Sequence, residues 1–254
     1  KQGGYPCYAI ANQDVLDRNI VASAYLKRWM VERGAAPEPI EVVTINVDPD
    51  LWQPCAQTRQ RVRTQAGIGD EPVIFFAGRL HADKQPRVLM GVFRELSKRG
   101  ARFRAVLAGD GPDYEWACEF VAKHKLERQV TLLGAVASEI VRDWLTASDL
   151  FFLPSRWEGI ALTIYEALAC GVPVVGADVG GQRELATPDC SVLIAKSDEA
   201  GEIATYADVL EKLLADPQRR AEMSRKARQR ILAGFKLGQM GARMDALLRE
   251  ARQK

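Results

Sequence analysis

The sequence predicts an α/β fold: a doubly wound, parallel, Rossmann-like sheet, preceded by a remnant of another domain of the same kind. Short apolar runs alternate with amphipathic segments of helical length along the 254 residues, and this alternation is typical of parallel sheets. Hydrophobic residues make up 47 % of the chain, so a sizeable core can form. Because strand–helix–strand crossovers are right-handed, the helices are expected on both faces of the sheet.

The elements follow from this alternation in chain order. Eight short apolar runs are predicted as strands, at residues 19–22, 40–45, 73–77, 104–108, 130–132, 150–153, 172–175 and 192–194. Nine longer segments are predicted as helices, at residues 24–33, 58–66, 86–99, 114–124, 140–147, 161–169, 203–215, 218–233 and 238–251.

A linker is predicted at residues 46–54, where NVDPDLWQP gathers Pro, Asp and Asn between two regular patterns. The strand, helix and strand before it are too few for a domain and are interpreted as the end of another Rossmann-like unit. We therefore divide the chain into a remnant with its linker at 1–48, a main domain at 49–236 and a last helix at 237–254. Because the chain lacks an initiator Met, we expect it to be a piece of a longer protein.

Composition excludes several classes of protein. A net charge of only +2 argues against a broad nucleic-acid footprint. The five cysteines are scattered, without metal-ligand or redox-motif spacing, which favours reduced thiols in a cytoplasmic protein. No apolar run approaches the ~20 residues of a membrane span, and the first residues lack the apolar stretch of a signal peptide.

Residues 73–84, VIFFAGRLHADK, place two cations after a buried strand. Gly78 lets a ligand approach the backbone, and Arg79 and Lys84 follow it. Ligands of open α/β sheets bind beyond the carboxyl ends of strands, so this pair would suit a diphosphate. A surface loop with solvated cations is an equal alternative. His81 between them either touches the anion or is merely exposed.

Two glycine-containing turns allow two interpretations each. Residues 107–112, LAGDGP, resemble a phosphate cradle but lack the spacing of known phosphate loops, so a structural turn with positive φ is favoured. Residues 180–184, GGQRE, form a predicted tight turn whose role is either structural or close to a ligand.

Two carboxylates flank the start of a predicted helix. Glu158 lies at the turn before it, and Glu166 lies within an otherwise apolar helical run. Residues 159–163 form the helix N-terminus, whose free N–H groups and dipole favour an anion. A carboxylate such as Glu166 is costly in an apolar setting unless it is paired. Ribose hydroxyls would pair with it, and so would Arg156 or Arg183 in a salt bridge.

The motifs GRLHADK, LAGDGP, VTLLGAV, SDLFFLPSRWEGIALTIYEALACGVPVV and VGGQREL occur in this order. Together they resemble the C-terminal, donor-binding domain of family 4 retaining glycosyltransferases with the GT-B fold. The resemblance covers residues 17–235. It implies that residues 49–236 form a nucleotide-sugar binding domain. It also implies that the final helix corresponds to the helix that crosses back toward the N-terminal domain in that family.

The resemblance implies a role for each matching residue. Arg79, Lys84 and Glu158 would be catalytic: the two cations would bind the donor diphosphate as leaving group, and the carboxylate would contact sugar hydroxyls. The donor would further be held by Gly78, by base-reading main-chain groups at Leu133, Gly134 and Val136, by the helix start at Gly159, Ile160, Ala161, Leu162 and Thr163, and by Glu166 at both ribose hydroxyls. Neither a metal ion nor another cofactor is expected.

The chain departs from the family pattern in two places. Ile160-Ala161 stands where the family usually has Phe-Gly, a change that the small Ala161 should tolerate. The family's N-terminal Gly-rich loop and acceptor-side His have no counterpart, so a missing N-terminal domain would bind the glycan, lipid or other acceptor and mediate any membrane-surface association.

The expected function is sugar transfer with retention of configuration, in which this chain supplies the donor-binding half and is poorly active alone. A catalytically inactive nucleotide- or partner-binding module is the alternative. A different GT-B chemistry, such as epimerisation or phosphorolysis, matches the two-acid segment less well. The sequence does not specify the base, the donor sugar or the oligomeric state.

Overall fold

The computed structural model of the protein describes residues 4–252 and contains a large and a small parallel sheet. The small sheet pairs β1 (Asn19–Val21) with β2 (Ile40–Val42). The large sheet has the strand order β5-β4-β3-β6-β7-β8. Its strands are β3 (Val73–Ala77), β4 (Arg104–Ala108), β5 (Val130–Gly134), β6 (Leu150–Leu153), β7 (Val174–Ala177) and β8 (Ser191–Ile194).

Helices connect and cover these strands. They are α1 (Tyr5–Ala11), α2 (Ala24–Val31), α3 (Ala56–Gln65), α4 (Pro86–Lys98), α5 (Tyr114–Lys123), α6 (Ser138–Ala147), α7 (Leu162–Ala169), α8 (Gln182–Leu185), α9 (Glu199–Ala215), α10 (Pro217–Gly234) and α11 (Leu237–Arg252). Short 3₁₀ turns occupy Gln13–Val15 and Ala82–Lys84. None of the helices in the described part of the chain is both long and apolar enough to cross a membrane.

The core lies on both faces of the large sheet. Every residue of β3 and β6 is buried, as expected for central parallel strands covered on two sides. Phe152 makes edge-on contacts with Phe93 of α4 at 6.1 Å and with Tyr206 of α9 at 5.0 Å between ring centroids. These aromatic contacts bind α4 and α9 to the sheet centre. The predicted parallel α/β sheet is thus confirmed.

Several element boundaries differ from the prediction. β7 starts at Val174 rather than at residue 172, because Pro173 has no N–H for the ladder and only its carbonyl pairs, with Phe151. α9 begins four residues early, at Glu199, because the Asp198 carboxylate accepts the Gly201 N–H at 2.7 Å and caps the helix. The helices α1 and α8 were not predicted.

The N-terminal segment is tied to the large domain at two places. The Glu184 carboxylate accepts the N–H groups of Ala24 and Tyr25 at 2.8 and 2.6 Å, which caps the start of α2. Val47 forms a parallel bridge with Lys236, where the linker meets the start of the last helix. The proposed domain boundaries at residues 48 and 236 fall at this crossing.

Candidate active site

The order in which strands join the sheet reverses between β3 and β6, and this switch point forms the crevice of the fold. β4 and β5 follow on one side of β3, whereas β6 returns to its other side and leads to β7 and β8. The loops that leave the carboxyl ends of β3 and β6 therefore face each other. In open α/β sheets this is where ligands bind.

Direct contacts join the two loops. The Arg156 N–H donates to the Asp83 carbonyl at 2.7 Å. Lys84 forms an ion pair with Glu158, and the side chains are only 24 % and 10 % exposed. Two residues predicted to be catalytic thus contact each other, although 74 positions separate them.

Gln85 supports the site from the position after Lys84, and the sequence analysis missed it. It adopts a left-handed conformation with φ of 51°. Its side-chain amide donates to the Pro154 carbonyl at 2.6 Å and to the Glu202 carboxylate at 2.8 Å. Glu202 is buried, and its other oxygen accepts the Ser197 N–H at 3.2 Å. This network fixes the residue next to Lys84, and no short motif signals it because Glu202 lies 117 positions away.

A cavity of about 680 Å³ opens at the carboxyl ends of β3 and β4 and the start of α7. We call it the switch-point cavity. Five residues predicted for the site line it, namely Gly78, Arg79, Val136, Thr163 and Glu166. The volume lies in the range of small-molecule and cofactor sites.

Glu166 has no ion-pair or hydrogen-bond partner for its side chain within residues 4–252. Arg183 pairs with Asp178 instead, and Arg156 forms no ion pair there, so the salt-bridge alternative for Glu166 is wrong. Burial raises the pKa of Glu166 to about 7. A half-buried carboxylate at a cavity wall therefore lacks the hydrogen-bond donors that would stabilise its charge.

The N-terminus of α7 faces the crevice one residue later than predicted. The helix starts at Leu162, and its N-cap residue Ala161 provides no side-chain hydrogen bond to the first N–H groups. Ile160 and Ala161 are buried, while Leu162 is 54 % exposed. The orphan N–H groups at this end favour an anion.

Two glycines hold the loops in place by close backbone approach. Gly109 has a φ of +144°, and a Cβ there would lie 1.9 Å from the Gly78 carbonyl oxygen. Gly180 has a φ of +60°, and its Cβ would lie 1.9 Å from the Glu158 carbonyl oxygen. The positive φ expected for LAGDGP is confirmed at Gly109 and Gly111. Gly109, Asp110 and Gly111 also line the switch-point cavity, so the role of this turn in holding a phosphate stays open.

The segment predicted to read a base lies beside this cavity. β5 extends to Gly134, two residues further than predicted, and Gly134 accepts the Gly109 N–H at 2.8 Å. Val136 lines the cavity, whereas Leu133 packs against the core. His81 has a structural contact, since its Nδ1 accepts the Asp83 N–H at 3.2 Å and caps the 3₁₀ turn.

Glu158 and Gly159 line a different cavity, of about 700 Å³, between α2 and the loop after β6. We call it the α2 cavity. Lys84 lies between the two cavities, because it pairs with Glu158 and its Cε would be 3.8 Å from a Cβ on Gly78. The predicted site residues that line a cavity are therefore divided between two cavities. Six others line neither of them, namely Lys84, Leu133, Gly134, Ile160, Ala161 and Leu162.

No group of three or more His, Cys, Asp or Glu side chains in the described part of the chain is arranged to hold a metal ion. Positive charge at the crevice comes from Arg79, from Lys84 and from the N-terminus of α7. The expectation of a metal-independent site stays a prediction.

Comparison with protein families gives a direct match. The family model described as Glycosyl transferases group 1 matches residues 58–230, which is more than half of the chain. The chain belongs to this family. The matched range contains both loops of the crevice and all of the large sheet.

Relatives of this chain include enzymes that transfer different sugars to different acceptors, as their names state. A D-inositol 3-phosphate glycosyltransferase of Gordonia bronchialis is 34 % identical over 77 % of this chain and 44 % of its own length. A GDP-mannose-dependent α-(1-6)-phosphatidylinositol monomannoside mannosyltransferase of Mycolicibacterium smegmatis is 30 % identical over 91 % of this chain and 62 % of its own. An α-D-kanosaminyltransferase of Streptomyces kanamyceticus is 28 % identical over 76 % of this chain and 49 % of its own. The chain spans about half the length of these relatives.

Solved structures confirm the GT-B architecture. Anabaena Alr3699/HepE in complex with UDP and glucose superposes with a TM-score of 0.84 and 22 % identity, over 96 % of this chain and 66 % of that one. A sucrose-phosphate synthase from Thermosynechococcus elongatus has a TM-score of 0.80 and 22 % identity, over 98 % of this chain and 62 % of that one. The group 1 glycosyltransferase chain therefore has the fold of the C-terminal domain of GT-B proteins.

Proposed function

We propose that this chain binds a nucleotide-diphosphate sugar in the switch-point cavity and forms the donor-binding half of a family 4 retaining glycosyltransferase. One observation carries the proposal. Arg79 and Glu166, each without an ion pair within residues 4–252, line one cavity at the carboxyl ends of parallel strands. A cation and a hydrogen-bond acceptor are the groups that a diphosphate and a ribose require.

The ribose belongs at Glu166. Two hydroxyl groups would donate to the carboxylate, which has no other donor, and would stabilise its charged form. The base would then lie toward Val136, on the same cavity wall, where main-chain groups after β5 read it. HepE binds UDP and a relative depends on GDP-mannose, so both pyrimidine and purine nucleotides are candidates for this chain.

The diphosphate belongs between Arg79, Lys84 and the N-terminus of α7. Lys84 forms an ion pair with Glu158. A bound diphosphate would compete for the ammonium group, and the Glu158 carboxylate would then accept hydrogen bonds from the sugar. The Lys84–Glu158 ion pair would thus be replaced by two contacts, one from Lys84 to the diphosphate and one from Glu158 to the sugar.

Transfer would proceed on the face from which the nucleotide leaves. The acceptor hydroxyl oxygen forms a bond to the anomeric carbon while the bond from that carbon to the phosphate oxygen breaks. The hydroxyl proton passes to an oxygen of the departing diphosphate, and the configuration is retained. Arg79, Lys84 and the first N–H groups of α7 stabilise the negative charge that develops on the leaving group.

The family's full activity would require an acceptor-binding domain beyond this chain, which would also make any contact with a membrane surface. A cytoplasmic location fits the five free cysteines, two of them buried.

Anomer-resolved NMR tests the proposal. The chain is incubated with UDP-glucose, GDP-mannose and ADP-glucose, all α-linked, and the released sugar is followed by its anomeric proton before mutarotation. We expect slow hydrolysis of one donor that releases the α-anomer first and is lost in Lys84→Ala. Arg225→Ala, at an exposed position of α10, serves as control. Early release of the β-anomer would contradict retention, and binding without hydrolysis would favour an inactive nucleotide-binding module.

A further inference from the structure

The α2 cavity is lined by two carboxylates that have ion-pair partners and by two cations that have none within residues 4–252. Its two carboxylates already have cations: Glu158 pairs with Lys84, and Asp178 pairs with Arg183. Its two cations, Arg156 and Lys196, form no ion pair with any residue from 4 to 252. The cavity therefore offers positive charge to a ligand while its negative charge is neutralised.

The two cations line the same cavity, and the charge of Arg156 acts on Lys196. Burial lowers the pKa of Lys196, and the Arg156 guanidinium lowers it further. Glu202 acts in the opposite direction on that pKa, and its oxygens accept hydrogen bonds from Gln85 and from the Ser197 N–H. Two like charges at one cavity wall, without a carboxylate in contact, are stabilised by an anion placed between them.

Aromatic side chains form the rest of the wall. The Lys196 ammonium lies 4.6 Å from the ring centroid of Trp157, and Trp157 is 55 % exposed. Across the cavity, Arg33 covers one face of Trp29 at 4.0 Å, and Tyr25 beside it is 39 % exposed. Each indole thus has a cation on one face, and the aromatic surface that remains suits a carbon ring.

We propose that the α2 cavity is the part of the acceptor site that this chain contributes, next to the acceptor-binding domain beyond it. The cavity would take a phosphorylated polyol, such as a sugar phosphate or a cyclitol phosphate. The phosphate would lie between Arg156 and Lys196, and the ring would pack on Trp157 and Trp29. A phosphate monoester carries a charge of about −1.5 to −2 at neutral pH, which matches two cations better than a carboxylate does. This inference rests on the proposed function, since Glu158 places the cavity beside the donor sugar.

Calorimetric titration in the presence of a saturating nucleoside diphosphate tests the inference. Glucose 6-phosphate and myo-inositol 1-phosphate are compared with glucose, myo-inositol and inorganic phosphate. We expect at least one phosphorylated polyol to bind about tenfold or more tightly than its neutral counterpart, as one charge-assisted hydrogen bond provides. The double variant Arg156→Gln/Lys196→Gln should lose this difference. Arg225→Gln/Lys226→Gln, which removes two exposed cations of α10, should keep it.

The nucleoside diphosphate itself separates the two proposals. If it binds the native chain and the Arg156→Gln/Lys196→Gln variant equally, the variant is folded and the donor site is independent of these cations. The inference is overturned if neither phosphorylated polyol binds better than its neutral form, or if the double variant binds it unchanged. It is also overturned if the double variant loses the nucleotide, because the cations would then belong to the donor site. Failure of the native chain to bind any nucleotide contradicts the proposed function instead.

Discussion

The ammonium group of Lys84 pairs with the carboxylate of Glu158 between the loops that follow β3 and β6. The pair joins the two halves of the sheet at the point where the strand order reverses. It also lies between the switch-point cavity and the α2 cavity. Because each partner has a proposed contact with the donor, the pair should open when the donor binds.

Two substitutions separate the partners. Lys84→Ala should weaken nucleoside diphosphate binding about tenfold or more, because a charge-assisted contact to the phosphate is lost. Glu158→Gln should leave that affinity unchanged or strengthen it a few-fold, because Lys84 no longer has a competing partner. Titration calorimetry measures both. Equal weakening by the two substitutions would mean that the pair holds the loops together rather than holding the diphosphate.

The raised pKa of Glu166 predicts a pH dependence of stability. Between pH 4.5 and about 7 the unfolded chain carries a charged Glu166, while the folded protein keeps it protonated. The unfolded state then binds fewer protons, so the free energy of unfolding falls as the pH rises. Urea denaturation should show that the free energy of unfolding is lower at pH 8 than at pH 5. Glu166 should account for about 2 kcal/mol of this difference, after allowance for its partial exposure.

Glu166→Gln should remove this part of the pH dependence and raise the free energy of unfolding at pH 8. Glu127→Gln, at an exposed acid of the turn before β5, should change little and serves as control. Donor binding should respond in the opposite sense, because the ribose needs the charged carboxylate. The affinity for a sugar nucleotide should therefore rise from pH 6 to pH 8 in the native chain. If the affinity does not change between pH 6 and pH 8 and is the same in the native protein and in Glu166→Gln, the ribose does not bind at Glu166.

Gly180 supports the loop that carries Glu158, so Gly180→Ala should disturb both fold and site. The new Cβ would lie 1.9 Å from the Glu158 carbonyl oxygen, and the backbone would also be strained by its φ of +60°. Gly100→Ala is the matched control, because its φ is +73° and no atom lies within 4 Å of the new Cβ. The control should cost about 1 kcal/mol, and Gly180→Ala clearly more, in the free energy of unfolding. Equal costs would mean that the loop moves away freely.

The buried Glu202 should act on the site through Gln85. Glu202→Ala leaves the Gln85 amide and the Ser197 N–H without their acceptor, which should lower the free energy of unfolding by about 2 kcal/mol. The loss of loop order next to Lys84 should also weaken nucleoside diphosphate binding. Glu202→Gln retains one acceptor oxygen and should fall between the native protein and Glu202→Ala in both measurements. Full stability loss without any change in affinity would show that Gln85 does not position Lys84.

The strands of the large sheet could be predicted closely because each is a buried apolar run with clear borders. The predicted bounds of β3, β4 and β6 agree with the structure to the residue. The short helices α1 and α8 could not be predicted in this way, since 7 and 4 residues are too few to show a helical period.

The site was predictable only in its local parts. The sequence predicts Gly78 and Arg79 at the end of a strand and Glu166 within a helix. In the structure all three line the switch-point cavity. The pairing of Lys84 with Glu158 depends on which strands are neighbours, which no single motif contains. The Gln85–Glu202 bond depends in addition on how α9 packs against α4.

The central claim is that Glu166 and the switch-point cavity form a working nucleotide site, and calorimetric titration of the chain with UDP, GDP and ADP tests it most directly. The account predicts saturable binding of one nucleotide by the native chain, and loss of that binding in Glu166→Ala with the fold intact by circular dichroism. Binding that is unchanged in Glu166→Ala, or no binding of any of the three nucleotides, would contradict it.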